Sequence, residues 1–355
     1  MEGVARTFQQ AIAHHVGGRL GEAEPLYREI LAFQPANFDA LHLLGVVCHQ
    51  TGRHEAAIGY IRHAITVNPR QPAPHSNLGL ALQALSQSVE ALESYDRAVA
   101  LDPTYFDALV NRGNMLREMG RACEAVDSFE RALDVNPGAV GALICCGIAE
   151  LEAGRPEAAA GRFRSVLAID PKNALAHVNI GNSFQVLKKY EEALASYDLA
   201  IAHAPGLAEA YSNRGNALRE LSRSEEALAS IDRALELKPG FPGALNTRGI
   251  CLRDLNRQRE ALQSYDRALA IQPDYADALC NRGNVLQDLG RYEEALESYA
   301  SAQRAVPGHA ESQWNESLCR LLLGDFEHGW PKYEARWKTE QRDKVRDLPV
   351  PTWLG

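Results

Sequence analysis

Nine prolines set the frame of this chain. Pro35, Pro69, Pro103, Pro137, Pro171, Pro205, Pro239, Pro273 and Pro307 each follow the last by 34 residues. Proline has a fixed φ and no N–H, so it cannot continue a helix through its interior without cost. A chain that accommodates nine such stops at one spacing is built as an array of like units. Taking each proline as position 32, further positions recur. Position 8 is small (Ala11, then glycine from Gly45 to Gly283), and position 20 is alanine in all nine copies, from Ala23 to Ala295. Position 24 is large, as in Tyr27, Ile61, Tyr95, Phe129 and Tyr265, and position 27 is alanine in most copies. Two short helices approach closely only where small side chains meet, which accounts for positions 8 and 20. A turn signal separates them, as in TGRHEAAI (51–58) and LGRYEEAL (289–296). One helix pair cannot bury both its faces, so pairs must stack.

This order of residues resembles the tetratricopeptide repeat (TPR), with small residues at 8 and 20, a bulky one at 24 and proline at 32. The resemblance implies an all-α fold, a right-handed superhelical solenoid of antiparallel helix pairs. Nine repeats are expected over 4–37, 38–71, 72–105, 106–139, 140–173, 174–207, 208–241, 242–275 and 276–309. A degenerate tenth repeat or cap is expected over 310–338, and an extended tail or junction over 339–355. Thr7 and Gln10 replace apolar residues in the first unit, as a solvated cap would. In the tenth, Gly324 and Tyr333 keep phase, but Gly329 stands at position 20 and Pro331 is expected to interrupt the second helix.

The 46 acidic residues outnumber the 37 basic ones, for a net charge of −9. Nucleic acid and anionic membrane surfaces need a basic footprint, so neither is expected as the main partner. No apolar run approaches a membrane span, and the first 20 residues lack the h-region of a signal peptide. The seven cysteines form no C-x-x-C and read as small buried or half-buried side chains of a reducing compartment. The cytoplasm is the expected location.

On a 100° wheel, positions 2, 6, 9 and 13 of the first helix fall opposite the face that packs on the second. In a TPR superhelix that stripe lines the concave surface. The tetrapeptide NRGN (111–114, 213–216, 281–284) and NIGN (179–182) place asparagines at positions 6 and 9. An asparagine amide carries both donor and acceptor and so matches a peptide backbone of any sequence. The TPR arm of O-GlcNAc transferases, which the sequence resembles, implies such a ladder here through Asn77, Asn111, Asn179, Asn213, Asn281 and Asn315, joined by Asn114, Asn182, Asn216 and Asn284. The ladder breaks at Leu43, Cys145 and Thr247. The same amides could instead bond to one another and stiffen the array. Positions 2 and 13 carry ten acids, among them Asp107, Glu118, Glu220, Asp254, Asp277 and Asp288, with no Lys or Arg on the stripe. The expected partner is therefore an extended peptide of basic character. Arg117, Arg219 and Arg253 at position 12 flank the stripe and could neutralise part of it, while Arg112, Arg214, Arg248 and Arg282 at position 7 are expected to pair with acids of an adjacent helix.

No P-loop, dinucleotide fingerprint or H-E-x-x-H appears, and no segment reads as a strand. His42 and His49 share a helix without a third ligand and are expected as surface residues, not metal ligands. No catalytic residue, metal site or cofactor is expected. The segment LLLGDFEHGWPKYEARWKTE, with LPVPTWLG, resembles the junction at which a TPR array meets a transferase domain in bacterial proteins of the O-GlcNAc-transferase or SPINDLY type. Gly324, Asp325, Phe326, Gly329, Trp330, Tyr333, Arg336, Trp337, Pro351, Trp353 and Gly355 carry it. Two functions stay open: a non-catalytic scaffold for extended peptides, or the substrate-recruiting arm of a protein O-glycosyltransferase whose catalytic domain is absent from this chain. Self-association through the solenoid ends is open to either.

Overall fold

The computed structural model describes residues 2–338, so the expected tail over 339–355, with Pro351, Trp353 and Gly355, lies outside the described residues. The chain divides into two compact units between Ser183 and Phe184. The first holds α1 (Glu2–Val16), α2 (Leu20–Phe33), α3 (Phe38–Gln50), α4 (His54–Val67), α5 (Pro72–Ala84), α6 (Ser88–Leu101), α7 (Phe106–Glu118), α8 (Ala122–Val135), α9 (Val140–Glu152), α10 (Pro156–Ile169) and most of α11 (Ala174–Val186). The second holds α12 (Tyr190–His203), α13 (Ala208–Glu220), α14 (Ser224–Leu237), α15 (Pro242–Asp254), α16 (Gln258–Ile271), α17 (Ala276–Asp288), α18 (Tyr292–Ala305), α19 (Ala310–Leu322) and α20 (Phe326–Tyr333), closed by a 3-10 turn, Glu334–Lys338. Among the described residues there is no strand, and antiparallel helix pairs stack one on the next in each unit.

The core repeats with the sequence. All nine alanines at position 20, Ala23 to Ala295, are fully buried. The bulky residue at position 24 lies on the glycine of position 8: a Cβ on Gly113 would sit 2.7 Å from the Phe129 ring, and one on Gly215 would sit 2.6 Å from Ile231. Only a residue without Cβ lets the pair close to that distance. The second helix ends before the proline, whose ring pushes the preceding residue out of helical geometry. Asn68, before Pro69, has φ −138° and ψ 91°.

Each turn inside a helix pair needs a left-handed residue at position 15. Gly52 (φ 77°), Gly120, Gly154 and Gly290 (each φ 72°) supply it without strain, but Ser86, Lys188, Ser222 and Asn256 adopt φ of 57–60° with a Cβ present. The four arginines at position 7 pair as expected with the preceding second helix. Arg112 meets Asp96 at 2.6 Å, and Arg214, Arg248 and Arg282 meet Asp198, Asp232 and Asp266 at 2.7 Å. Arg282 also donates to Ser298 Oγ on its own partner helix at 2.7 Å, so one guanidinium ties three helices. In 140–173 position 7 is Cys146, and the arginine comes from the other helix. Arg162 meets both Glu130 and the buried Glu150.

Three expectations are corrected. Pro331 does not interrupt its helix: α20 runs through it to Tyr333, and Pro25 sits at the same position inside the full-length α2. α20 has 8 residues against 14 in α18, and it carries Gly329 where every other unit buries an alanine. Cys123 is exposed, unlike the other cysteines. His42 is half-buried and bonded to Asn77 rather than a free surface residue, and His49 pairs ring to ring with His54.

Candidate functional site

Successive first helices touch one another: α3 with α5, α5 with α7 and α7 with α9 in one unit, α13 with α15, α15 with α17 and α17 with α19 in the other. They form the inner layer of each unit, and positions 6, 9, 12 and 13 open onto it. Each unit has a concavity of about 390 Å³ centred on an NRGN copy. In the first unit it is lined by Gln83, Asn111, Asn114, Arg117, Glu118 and Glu152. In the second, Arg253, Asn281, Asn284, Gln287, Asp288 and Glu311 surround a wall made by Trp314 and Asn315.

The asparagines are not equivalent. Asn111 and Asn114 are half-buried, and no bond of theirs to another group stands among the described residues. Asn281 donates Nδ2 to Asn246 Oδ1 (3.1 Å), and Asn315 donates to Cys280 Sγ (3.4 Å), while Asn77 Nδ2 lies 2.8 Å from His42 Nε2. Asn284 accepts from the Tyr299 hydroxyl (2.8 Å) and Asn216 from Thr247 Oγ1 (2.9 Å). Thr247, expected as a gap in the ladder, is thus part of its support. Asn213 is half-buried. Asn179 departs from the set: it is only 8% exposed, and Asn182 Nδ2 reaches its Oδ1 at 3.5 Å, while Asn182 itself is half-buried like its NRGN counterparts.

The acids are less bare than the stripe pattern suggests. Glu152 is held by Arg117 (2.7 Å), Asp288 by Arg253 (2.8 Å), Glu209 by Lys238 (2.8 Å) and Glu220 by Arg219. Gln83 donates to both oxygens of Glu118 at 2.9 Å. The arginines at position 12 therefore belong to the lining and not to its flank. Asp107, Asp254 and Asp277 stay exposed. What the face offers is amide donors and acceptors between fixed charge pairs. No proton-transfer constellation accompanies them.

Position 12 is the feature that stripe geometry passed over, although the sequence signals it. Where position 12 is glutamine (Gln83, Gln185, Gln287), position 24 is tyrosine: Tyr95 donates to Gln83 at 3.1 Å and Tyr197 to Gln185 at 3.0 Å, while Tyr299 donates to Asn284 at 2.8 Å with Gln287 Oε1 3.3 Å away. Where it is Arg117, Leu151 or Arg219, position 24 is Phe129, Phe163 or Ile231. Tyr265, opposite Arg253, breaks the rule and leaves its buried hydroxyl without a partner.

One group of metal-ligand type exists among the described residues: Asp277, His309 and Glu311, with ligand atoms within 4.8 Å of one another. His309 Nδ1 accepts the Ser312 N–H at 3.3 Å, which places the ring proton on Nε2, 3.2 Å from Asp277 Oδ1. That proton occupies the position a cation would need, and the trio reads as a helix cap with an acid partner.

Comparison with known proteins agrees with the helix pairing and the 34-residue period. Profiles described as tetratricopeptide repeat match residues 8–73, 76–140 and 147–208, and again 208–241 and 276–307, while one described as TPR repeat matches 251–290. The human tetratricopeptide repeat protein 7B is 32% identical over 85 residues, which is 24% of this chain and 10% of that protein. The chain thus spans a small part of that relative's length. A tetratricopeptide repeat protein from Parabacteroides merdae superposes with a TM-score of 0.59 at 18% identity, covering 70% of this chain and 98% of that one. PilF of Pseudomonas aeruginosa gives 0.50 at 21% identity over 59% of this chain and 95% of its own. Helix pairs closed on glycine by a bulky residue, proline stops every 34 residues and profile matches over more than half the sequence place this chain in the tetratricopeptide repeat family.

Proposed function

We propose that this chain is a non-catalytic scaffold that holds extended peptide segments against the asparagine-bearing faces of its first helices. One observation carries the reading: both units shape a concavity around an NRGN copy, and amides line it. A peptide main chain offers the complementary groups at every residue, whatever its side chains. The remaining exposed acids, Asp107, Asp254, Asp277 and Glu311 among them, favour a segment with Lys or Arg, steered by the local field. Tetratricopeptide arrays are as a rule scaffolds, in keeping with the lack of a proton-transfer constellation on this face.

Peptides selected from a random display library against the full chain provide the test. Changing Asn111, Asn213 and Asn281 together to Ala should weaken the selected peptides at least ten-fold while the far-ultraviolet dichroism stays unchanged. Unaltered affinity would return the asparagines to a structural role. The second reading, a recruiting arm for a glycosyltransferase, rests on the GDFEHGWPKYEARW segment and on the departure of α20 from the repeat. A native polypeptide continuing past Gly355 into a sugar-nucleotide-binding region would support it.

A further inference from the structure

We propose that the concavity around 281–284 is a side-chain pocket that takes one lysine or arginine of the docked segment, its stem against Trp314 and Leu318 and its cationic tip at Glu311. This rests on the peptide-binding reading above and deepens it by giving the basic residue one site. Trp314 and Leu318 line the cavity from α19. The indole N–H is buried, so what the Trp314 side chain shows to the cavity is ring carbon. The acids of the lining are unequal. Asp288 is held by Arg253 at 2.8 Å, whereas Glu311 is exposed and makes no hydrogen bond or ion pair among the described residues. One carboxylate is therefore left uncompensated, and the Asp277 carboxylate, within 4.8 Å of Glu311, adds to its field.

Such a lining discriminates between side chains. An anionic one would meet Glu311 and Asp288 with like charge. A wholly apolar one would cover Trp314 and Leu318 but take water from Glu311 and offer it nothing in return. Lysine and arginine bury a hydrocarbon stem while keeping a charged head at a polar rim, and a cation over a tryptophan ring gains a further attraction. The concavity of the first unit, of the same volume, lacks both halves of the pocket. No apolar side chain lines it, and its two carboxylates are already engaged, Glu118 by Gln83 and Glu152 by Arg117.

The experiment uses three probes that differ in one side chain, acetyl-Gly-Gly-Gly-Xaa-Gly-Gly-Gly-amide with lysine, arginine or norleucine at Xaa. Binding to the full chain at low ionic strength and millimolar probe is followed by the side-chain amide resonances of the asparagines and the indole resonance of Trp314. The lysine and arginine probes should bind about three- to five-fold more tightly than the norleucine probe, the worth of one accessible ion pair. Glu311→Gln should abolish that advantage, and Glu118→Gln, in the other concavity, should leave it intact. Trp314→Leu should weaken all three probes; Glu311 is exposed, so its variant tests the pocket even where the Trp314 change disturbs the fold. Equal affinity of the three probes, or an advantage lost as much on Glu118→Gln as on Glu311→Gln, would overturn the pocket and leave the peptide reading standing. Failure of every probe to move any groove amide would overturn both.

Discussion

The tyrosines at position 24 provide a graded test of how the core supports the inner face. Tyr95, Tyr197 and Tyr299 donate through the helix pair to Gln83, Gln185 and Asn284 at 3.1, 3.0 and 2.8 Å. Tyr265 occupies the same place, fully buried, but position 12 there is Arg253, which has donors only and points its Nε at Asp288, 2.8 Å away. Its hydroxyl has no partner. Changing each to Phe removes one oxygen and little volume, and Phe129 and Phe163 show that a bare ring fits. A buried hydrogen bond contributes about 0.5–1.5 kcal/mol net, whereas an unpartnered buried hydroxyl costs about 1–3 kcal/mol. Tyr95→Phe and Tyr299→Phe should therefore lose about 1 kcal/mol each. Tyr265→Phe should lose nothing and gain up to about 1 kcal/mol. Long arrays unfold with imperfect cooperativity, so the measurement is native-state hydrogen exchange over α15 and α16, compared with α5 and α6, alongside urea unfolding. A loss at Tyr265 equal to that at Tyr95 would refute the reasoning, because it would mean the hydroxyl is satisfied.

The left-handed turns predict a second series. Lys188→Gly should stabilise by about 0.5–1 kcal/mol and Asn256→Gly by much less, since asparagine tolerates that conformation. Equal gains in urea midpoint would show that φ is not the cause. Glu150 predicts a pH dependence. It is 3% exposed, Arg162 meets one oxygen at 3.1 Å, the other has no partner, and burial raises the carboxyl above its ordinary value. A carboxyl raised in the fold stabilises most below its unfolded pKa and loses that contribution as pH rises through the folded one. Glu150→Gln should remove that decline above about pH 4.5, where an unfolded glutamate ionises, and parallel stability curves for the two proteins would contradict it.

Much of this protein was legible without coordinates. Proline at 32, glycine at 8 and alanine at 20 act locally, through backbone geometry and closest approach, so their spacing carries the fold. The arginine-to-acid pairs were legible for the same reason, since an array repeats its neighbours. Wheel geometry could place Asn281 and Asn284 on one face but not say what each is bonded to. Their partners, Asn246 and Tyr299, stand 35 and 15 residues away. It could not show that Asn179 is buried while Asn281 is not, although both hold position 6. Nor could counting acids reveal that Arg117 and Arg253 reach across to the next repeat and hold Glu152 and Asp288.

The sequence by itself determined the period, the helix pair and the inward face, because each follows from local sterics copied every 34 residues. Only the tertiary structure decided which amides remain available and how far the acidic stripe is neutralised. Those are properties of side chains meeting across repeats, and a spacing rule says nothing about which partner a rotatable group will choose.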